Sequence, residues 1–509
     1  MNPLSIFPKS AVRLVAALVV AGTLLLAASC GGSSNGGGGG GGGGNQNFSK
    51  ASLKGQYAFT LRGVGTPDQI NAFLFVEGGV FTADGNGTLT AITDDFIQNF
   101  TAGLNNQATG TYIINPDGSG ELTFNFANNT VAKYRITLSD DSHFYMVEDE
   151  GFNTSAGSGE KQDTTAFGNV PSGTFVLQTH DLRAGNSKVG VTTWNAGVIS
   201  GTGDVLSGGT LFSPVTVSGT AQAPSNTTGR GSVTITDDTG TSHYVYYVVN
   251  SRKLRLFNID AVSSLAIGQA EAQTGGPFSA ASLNGSYVFG SAGETGFLDG
   301  IHSVGLFTTD GAGNVTVGSF DFIQDGNPVT GVSLNPGSTY TVDANGRVDV
   351  TLNLSTGTTN EKIMYLVSPS RAFFLVNDPI NVEDGTLDKQ SGTFSNGSLN
   401  GQAALFMDGF DGVQVLFKDR VGTLTPNGSG ALSTNYRTSF FDSNVVVGGF
   451  QDNAFSGTYA VSANGRATAQ FAGFTNNMVF YLSSTNTGYF LQADPGIDMG
   501  GAFTRQTGP

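Results

Sequence analysis

Four times along the chain a glycine introduces an apolar run: LKGQYAF at Gly55, PSGTFVL at Gly173, LNGSYVF at Gly285 and LNGQAAL at Gly401. The spacings are 118, 112 and 116 residues. Each copy has a late apolar segment that ends on aspartate: Asp149, Asp260, Asp378 and Asp494. Each then closes on glutamine, at Gln162, Gln273, Gln390 and Gln506. Three landmarks in fixed order, four times over, confine the chain to an array of one repeated unit.

The third copy shows what that unit is. In RVDVTLNL, Val348, Val350, Leu352 and Leu354 alternate with Arg347, Asp349, Thr351 and Asn353, the pattern of a half-buried strand. STYTVDANGRVDV joins two such runs through Asn345-Gly346, a hairpin signal. About eight strands fit each copy, connections are short, and no segment holds a 3.6-residue apolar period. The expected fold is all-β, four tandem antiparallel meanders of about 115 residues, each a small eight-stranded barrel or barrel-like sandwich. A single four-bladed propeller is not expected, because a blade needs only about 40–50 residues.

The chain before the first copy is of another kind. Lys9 and Arg13 precede a mostly apolar stretch, Leu14 to Ala28, too short to span a bilayer and of the length of a secretory h-region. Ala27-Ala28-Ser29 then leads to Cys30, the one cysteine of the chain, and to nine consecutive glycines, Gly36 to Gly44. These residues resemble a bacterial lipoprotein signal, with Ala27 where that signal usually has leucine. The resemblance implies cleavage before Cys30, lipidation of its sulfur and attachment to the membrane, with Gly31 after the cysteine pointing to the outer membrane. The glycines read as a flexible tether. The expected divisions are a signal peptide at 1–29, a lipidated cysteine and tether at 30–50, and repeats at 51–165, 166–276, 277–392 and 393–509.

Composition narrows the partners. The chain has a formal net charge of −16, and removal of the signal takes away two bases and no acids, so phosphate backbones are repelled and nucleic acid is not an expected partner. A lone cysteine forms no internal disulfide, so stability rests on apolar burial, to which 37 Phe contribute.

In outline each repeat resembles lipocalin- or avidin-type barrels, with Gly-x-aromatic opening the first strand at Gly55-Gln56-Tyr57, Gly173-Thr174-Phe175 and Gly285-Ser286-Tyr287. The fourth copy has Ala403 in the aromatic place. The resemblance implies a small apolar ligand in each barrel mouth and carries over no ligand residue.

Chemistry-bearing residues are few. His143, His180, His243 and His302 occupy unmatched places in their copies and show no metal-ligand spacing, which reads as incidental surface or turn histidines. The turns DGNG (Asp84), DGSG (Asp117) and DGAG (Asp310) offer one carboxylate each, which suits Asx turns better than calcium. Asp149, Asp260, Asp378 and Asp494 recur at one rim, as strand-end turn residues or as candidate ligand-binding carboxylates for cations or sugar hydroxyls. No catalytic set, metal site or cofactor motif emerges. The expected function is a non-enzymatic, lipid-anchored binding, adhesion or structural array, with a surface glycan, a protein or a small apolar ligand as candidate partners.

Overall fold

The computed structural model describes residues 47–65, 73–98, 100–149, 153–182, 185–294, 300–442, 447–472 and 477–508. The signal, Cys30 and the glycine tract lie outside the described residues. Repeats 1, 2 and 4 are closed eight-stranded barrels in which strand follows strand and the eighth pairs with the first. The first strands are Lys54–Gly65, Gly173–Asp181, Asn284–Glu294 and Ala403–Asp411. The eighth are Asn153–Lys161, Ala266–Ala272, Val382–Lys389 and Ile497–Arg505. The four opening glycines recur for a backbone reason: Gly55, Gly173, Gly285 and Gly401 have φ of +119°, +124°, +113° and +89°, a region that a Cβ disfavours.

Repeat 3 departs in one respect. Its fourth strand is broken into Asn327–Ser333 and Thr339–Val342 around Asn335-Pro336-Gly337, giving a nine-stranded sheet whose two edges are the halves of that strand. Isolated bridges between Asn314 and Thr339 and between Leu334 and Leu354 draw those edges in, so the repeat keeps a barrel shape and is called barrel 3. Pro336 has no N–H for the ladder and Gly337 turns at φ +89°. The single fourth strands of the other repeats carry no such break.

Apolar side chains fill the barrels. In barrel 1, Tyr57, Phe59, Phe81, Phe124, Tyr134 and Phe144 interlock with ring centroids 5.0–6.2 Å apart. In barrel 3, the buried Lys362 ammonium lies over Phe289 and Phe374, at 4.5 and 4.6 Å from the ring centroids. Burial drives its pKa down to about 8, with Glu383 opposing the shift. The room that a lipocalin-like carrier requires is taken up by rings and aliphatic chains at the barrel centres.

The barrels form a closed ring, which the tandem order alone does not require. Apolar clusters join barrel 1 to 2, 2 to 3 and 3 to 4, and a smaller one of Val147, Ala156 and Val421 joins 4 to 1. The closing glutamines make the same joint four times. Gln162 donates to the Val248 carbonyl at 2.6 Å, Gln273 to Leu366 at 2.8 Å and Gln390 to Leu482 at 2.8 Å. Gln506, at the chain end, donates to Leu138 of the first repeat at 2.7 Å.

Three junctions share a second latch. A fully buried aspartate on the third strand of one barrel (Asp95, Asp204, Asp321) takes an arginine fork and a tyrosine hydroxyl from the next. Arg230 and Tyr247 serve Asp95, Arg347 and Tyr365 serve Asp204, and Arg466 and Tyr481 serve Asp321. In each case the arginine and tyrosine are cross-strand partners. Repeat 1 has Ser119 opposite Thr137 at these places, and Arg437 stands where repeat 4 would carry the aspartate. At this 4–1 seam the polarity is reversed: Arg437 grips Asp149 with two bonds of 3.1 Å.

Candidate functional site

The ring leaves a cavity of about 670 Å³ on its axis, walled mainly by the first and eighth strands of all four barrels. The strand period places every second residue of a first strand toward that axis. Five residues after the opening glycine stand Thr60, Gln178, Gly290 and Phe406; seven after it stand Arg62, His180, Ala292 and Asp408. The four strands meet the cavity in the same order, so the barrels run parallel. Where repeat 3 has only Ala292, its cross-strand neighbours His302 and Asp384 supply the polar groups. Gly500 makes room for the imidazole, since a Cβ there would lie 2.4 Å from His302 Cδ2.

These residues form a neck. Arg62, His180, His302 and Asp408 line both the large chamber and a smaller space of about 120 Å³ beyond it, whose walls include Val64, Leu74, Leu182, Phe410 and Phe417. Across the neck Arg62 Nη2 lies 3.2 Å from Asp408 Oδ2, joining barrels 1 and 4. His180 Nδ1 lies 2.6 Å from Asp384 Oδ2, joining barrels 2 and 3, and its Nε2 lies 3.5 Å from Glu294 Oε1. Among the described residues neither ring nitrogen of the buried His302 has a hydrogen-bond partner; Nε2 stands 3.9 Å from Asp408 Oδ1.

Electrostatics fix the protonation states. Burial opposes a charged His180, but Asp384 and Glu294 outweigh it and lift the pKa from 6.5 to about 9. Burial likewise opposes the Asp408 carboxylate, while His302 and Arg62 hold its pKa at about 2. Asp419, opposite Asp408 across the strands, is pushed well above the carboxylate range by burial and by that neighbour's charge.

A group whose folded pKa is raised stabilises the fold below its unfolded value and loses that contribution as pH rises through the folded value. His180 therefore contributes about 3 kcal/mol in full below pH 6.5, lost as pH passes 9. The expected result is that His180→Gln reduces the loss of thermal stability between pH 7 and 9.5 relative to the parent. The remainder includes His143, which hydrogen bonds to Asp140 and Glu160 also raise to about 9. Equal pH slopes for parent and variant would show that His180 does not hold the ring.

The neck contains serine, histidine and aspartate without the geometry of a hydrolytic triad. Ser187 Oγ and Asp384 Oδ2 both meet the same ring nitrogen, His180 Nδ1, at 3.1 and 2.6 Å, and Ser187 donates to Asp384. A general base needs its other nitrogen on the nucleophile and must be neutral at working pH. Ser187 is also wholly buried. The triple is a joint between barrels 2 and 3, strengthened by Gln178 Nε2 donating to Asp384 Oδ1 at 2.8 Å.

The structure does not bring the rim aspartates to this site. Asp149 is held by Arg135 and Arg437 at the seam, and Asp260 accepts from the backbone and ring of His243. Asp378 caps the N–H groups of Ile380 and Asn381, and Asp494 accepts from Gln492. Asp84 and Asp310 likewise commit a carboxylate oxygen to backbone N–H groups of their own turns. Among the described residues no group of three or more His, Cys, Asp or Glu is disposed to hold a metal.

The reading of the histidines as incidental is corrected for two of the four: His180 and His302 are buried at one shared site. Requiring one residue type at equivalent places hid them, because the axial place is Arg, His, Ala and Asp in turn. A polar or charged residue seven places after the opening glycine, inside an apolar strand, was the available signal.

No family model matches the chain, and no curated protein matches it. Among solved structures it is similar to a double mutant of the vaccine antigen Transferrin Binding Protein B from Haemophilus parasuis, at 8% identity over 89% of this chain and 96% of that one, with a TM-score of 0.19. An intact Ap-TbpB with N and C lobes aligns at 8% identity over 89% and 95%, TM-score 0.18. The isotype 1 protein from serogroup B Neisseria meningitidis aligns at 8% over 71% and 83%, TM-score 0.16. At these values the matches do not establish a shared overall fold.

Proposed function

We propose that this is a non-enzymatic binding protein of the bacterial cell envelope, held on a membrane by lipid at Cys30, whose four barrels build one ligand site on the ring axis. One observation carries the reading. Equivalent positions of all four repeats converge on a single chamber while the barrel centres are filled. The chamber is of the size of small-molecule sites, roughly 300–1,000 Å³. The anchor rests on Ala27-Ala28-Ser29-Cys30 after the apolar stretch, and the glycine tract gives the ring freedom to stand off the bilayer.

Native mass spectrometry of the mature chain, purified in detergent from its host envelope, tests both the anchor and the site. The expected spectrum has acyl chains on Cys30 and one further mass per chain. Up to four added masses would favour a ligand in each barrel over the axial site. A chain with neither acylation nor an added mass would refute the proposal.

A further inference from the structure

The wall of the axial chamber specifies a class of ligand, an inference that rests on the axial site proposed above. Its charged side chains are already paired with one another. Arg62 meets Asp408, His180 meets Asp384, Arg255 and Lys253 meet Glu160 at 2.9 Å each, and His143 meets Asp140 at 3.2 Å. An ion or zwitterion has to break a pair and leave a partly buried charge without its partner. Charges of both signs are interleaved along the wall.

The hydrogen-bonding groups left over are of another kind. The Gln269 amide and the Thr386 hydroxyl line the chamber and make no side-chain hydrogen bond among the described residues. Among the described residues both ring nitrogens of His302 are buried without a hydrogen bond, Nε2 standing 3.9 Å from Asp408 Oδ1. Gln269 and Thr386 stand at the same place in their repeats, four residues before the closing glutamine. Amide and hydroxyl each donate and accept, the property that matches a ligand hydroxyl, itself both donor and acceptor. An aromatic wall completes the chamber: Phe406 stacks on Tyr145 at 5.3 Å and 23°, with Tyr489 alongside. Such faces pack against the C–H side of a sugar ring.

We propose that the axial chamber binds a neutral, hydroxyl-rich small molecule of mono- or disaccharide size, through Gln269, Thr386 and His302, with Phe406 and Tyr145 as its apolar wall.

The test is calorimetric titration of the full mature chain with neutral sugars and polyols (glucose, galactose, N-acetylglucosamine, maltose, trehalose, inositol), and with glycine, acetate and phosphate as charged probes. The expected result is one site per chain for a neutral probe. Thr386→Val and Gln269→Leu, which leave the ion pairs intact, should each weaken it about tenfold at unchanged melting temperature. His302→Phe is expected to abolish it; should that chain fail to fold, the other two variants carry the test. Binding of a charged probe alone, or of no probe at millimolar concentration, overturns the proposal. If native mass spectrometry still shows one bound mass per chain, the ligand class is wrong and the axial site stands; without that mass, the site falls too.

Discussion

Asp321→Ala is expected to destabilise the ring by about 3–5 kcal/mol, the usual consequence of removing one member of a buried ion pair. Asp321 is fully buried and receives both arms of the Arg466 fork, at 2.8 and 2.6 Å, together with the Tyr481 hydroxyl. Without it the Arg466 guanidinium loses the acceptor of both its bonds at the barrel 3–4 junction, and the phenol keeps only Ser319 Oγ, at 2.8 Å. The measurement is urea unfolding combined with hydrogen exchange, which separates loss at the junction from loss inside a barrel. A loss below about 1 kcal/mol would show that the latch sits in water and contributes as a surface pair does. Adding Arg466→Ser and Tyr481→Thr, the residues that repeat 1 carries at these places, should recover at least half of the loss, because no orphaned charge is then left.

Trp194→Ala is the second large effect, about 3–5 kcal/mol for truncating a wholly buried tryptophan. The only tryptophan of the chain answers a defect in repeat 2. Tyr112, Tyr340 and Tyr459 end the fourth strands of the other repeats, and each hydroxyl ties down two carbonyls of the short 3₁₀ turn before the first strand. Repeat 2 has Ala221 there, within the same apolar cluster as Trp194. Trp194 pairs with the opening glycine Gly173, where repeats 1 and 3 have Ala83 and Thr309. Its ring packs on Phe175 and Tyr246, and its N–H reaches Thr192 at 3.0 Å. Trp194→Thr with Ala221→Tyr should therefore regain much of what Trp194→Ala loses, read from the denaturation midpoint of barrel 2. No gain over Trp194→Ala would mean that the two positions do not compensate.

The strands, their order and the repeat were legible because local rules set them. Alternation in RVDVTLNL, the Asn345-Gly346 turn and the left-handed φ of the opening glycines each act over a few residues. Pro336 announced a break that eight-strand counting passed over. Ring closure was not legible, since the joints of its closing glutamines connect residues from 86 to 368 positions apart and its contacts change character at the seam. Aligning the repeats exposes some of it: Asp95, Asp204 and Asp321 recur, as do Arg230, Arg347 and Arg466. The axial site resists that method, because a site shared by four copies needs different residues at equivalent places. Arg62, His180 and Asp408 complement one another, and recurrence is the wrong test for complementarity.

Closure also sets a limit on growth. An open solenoid accepts more units and needs special terminal ones to shield its exposed ends. Here the last glutamine is received by the first repeat, so there is no end to shield. A fifth unit would have to enter between partners already matched, and the angle between barrels would no longer bring Gln506 back to Leu138. The number of barrels within the ring is therefore held by geometry, and a unit added inside it would open it.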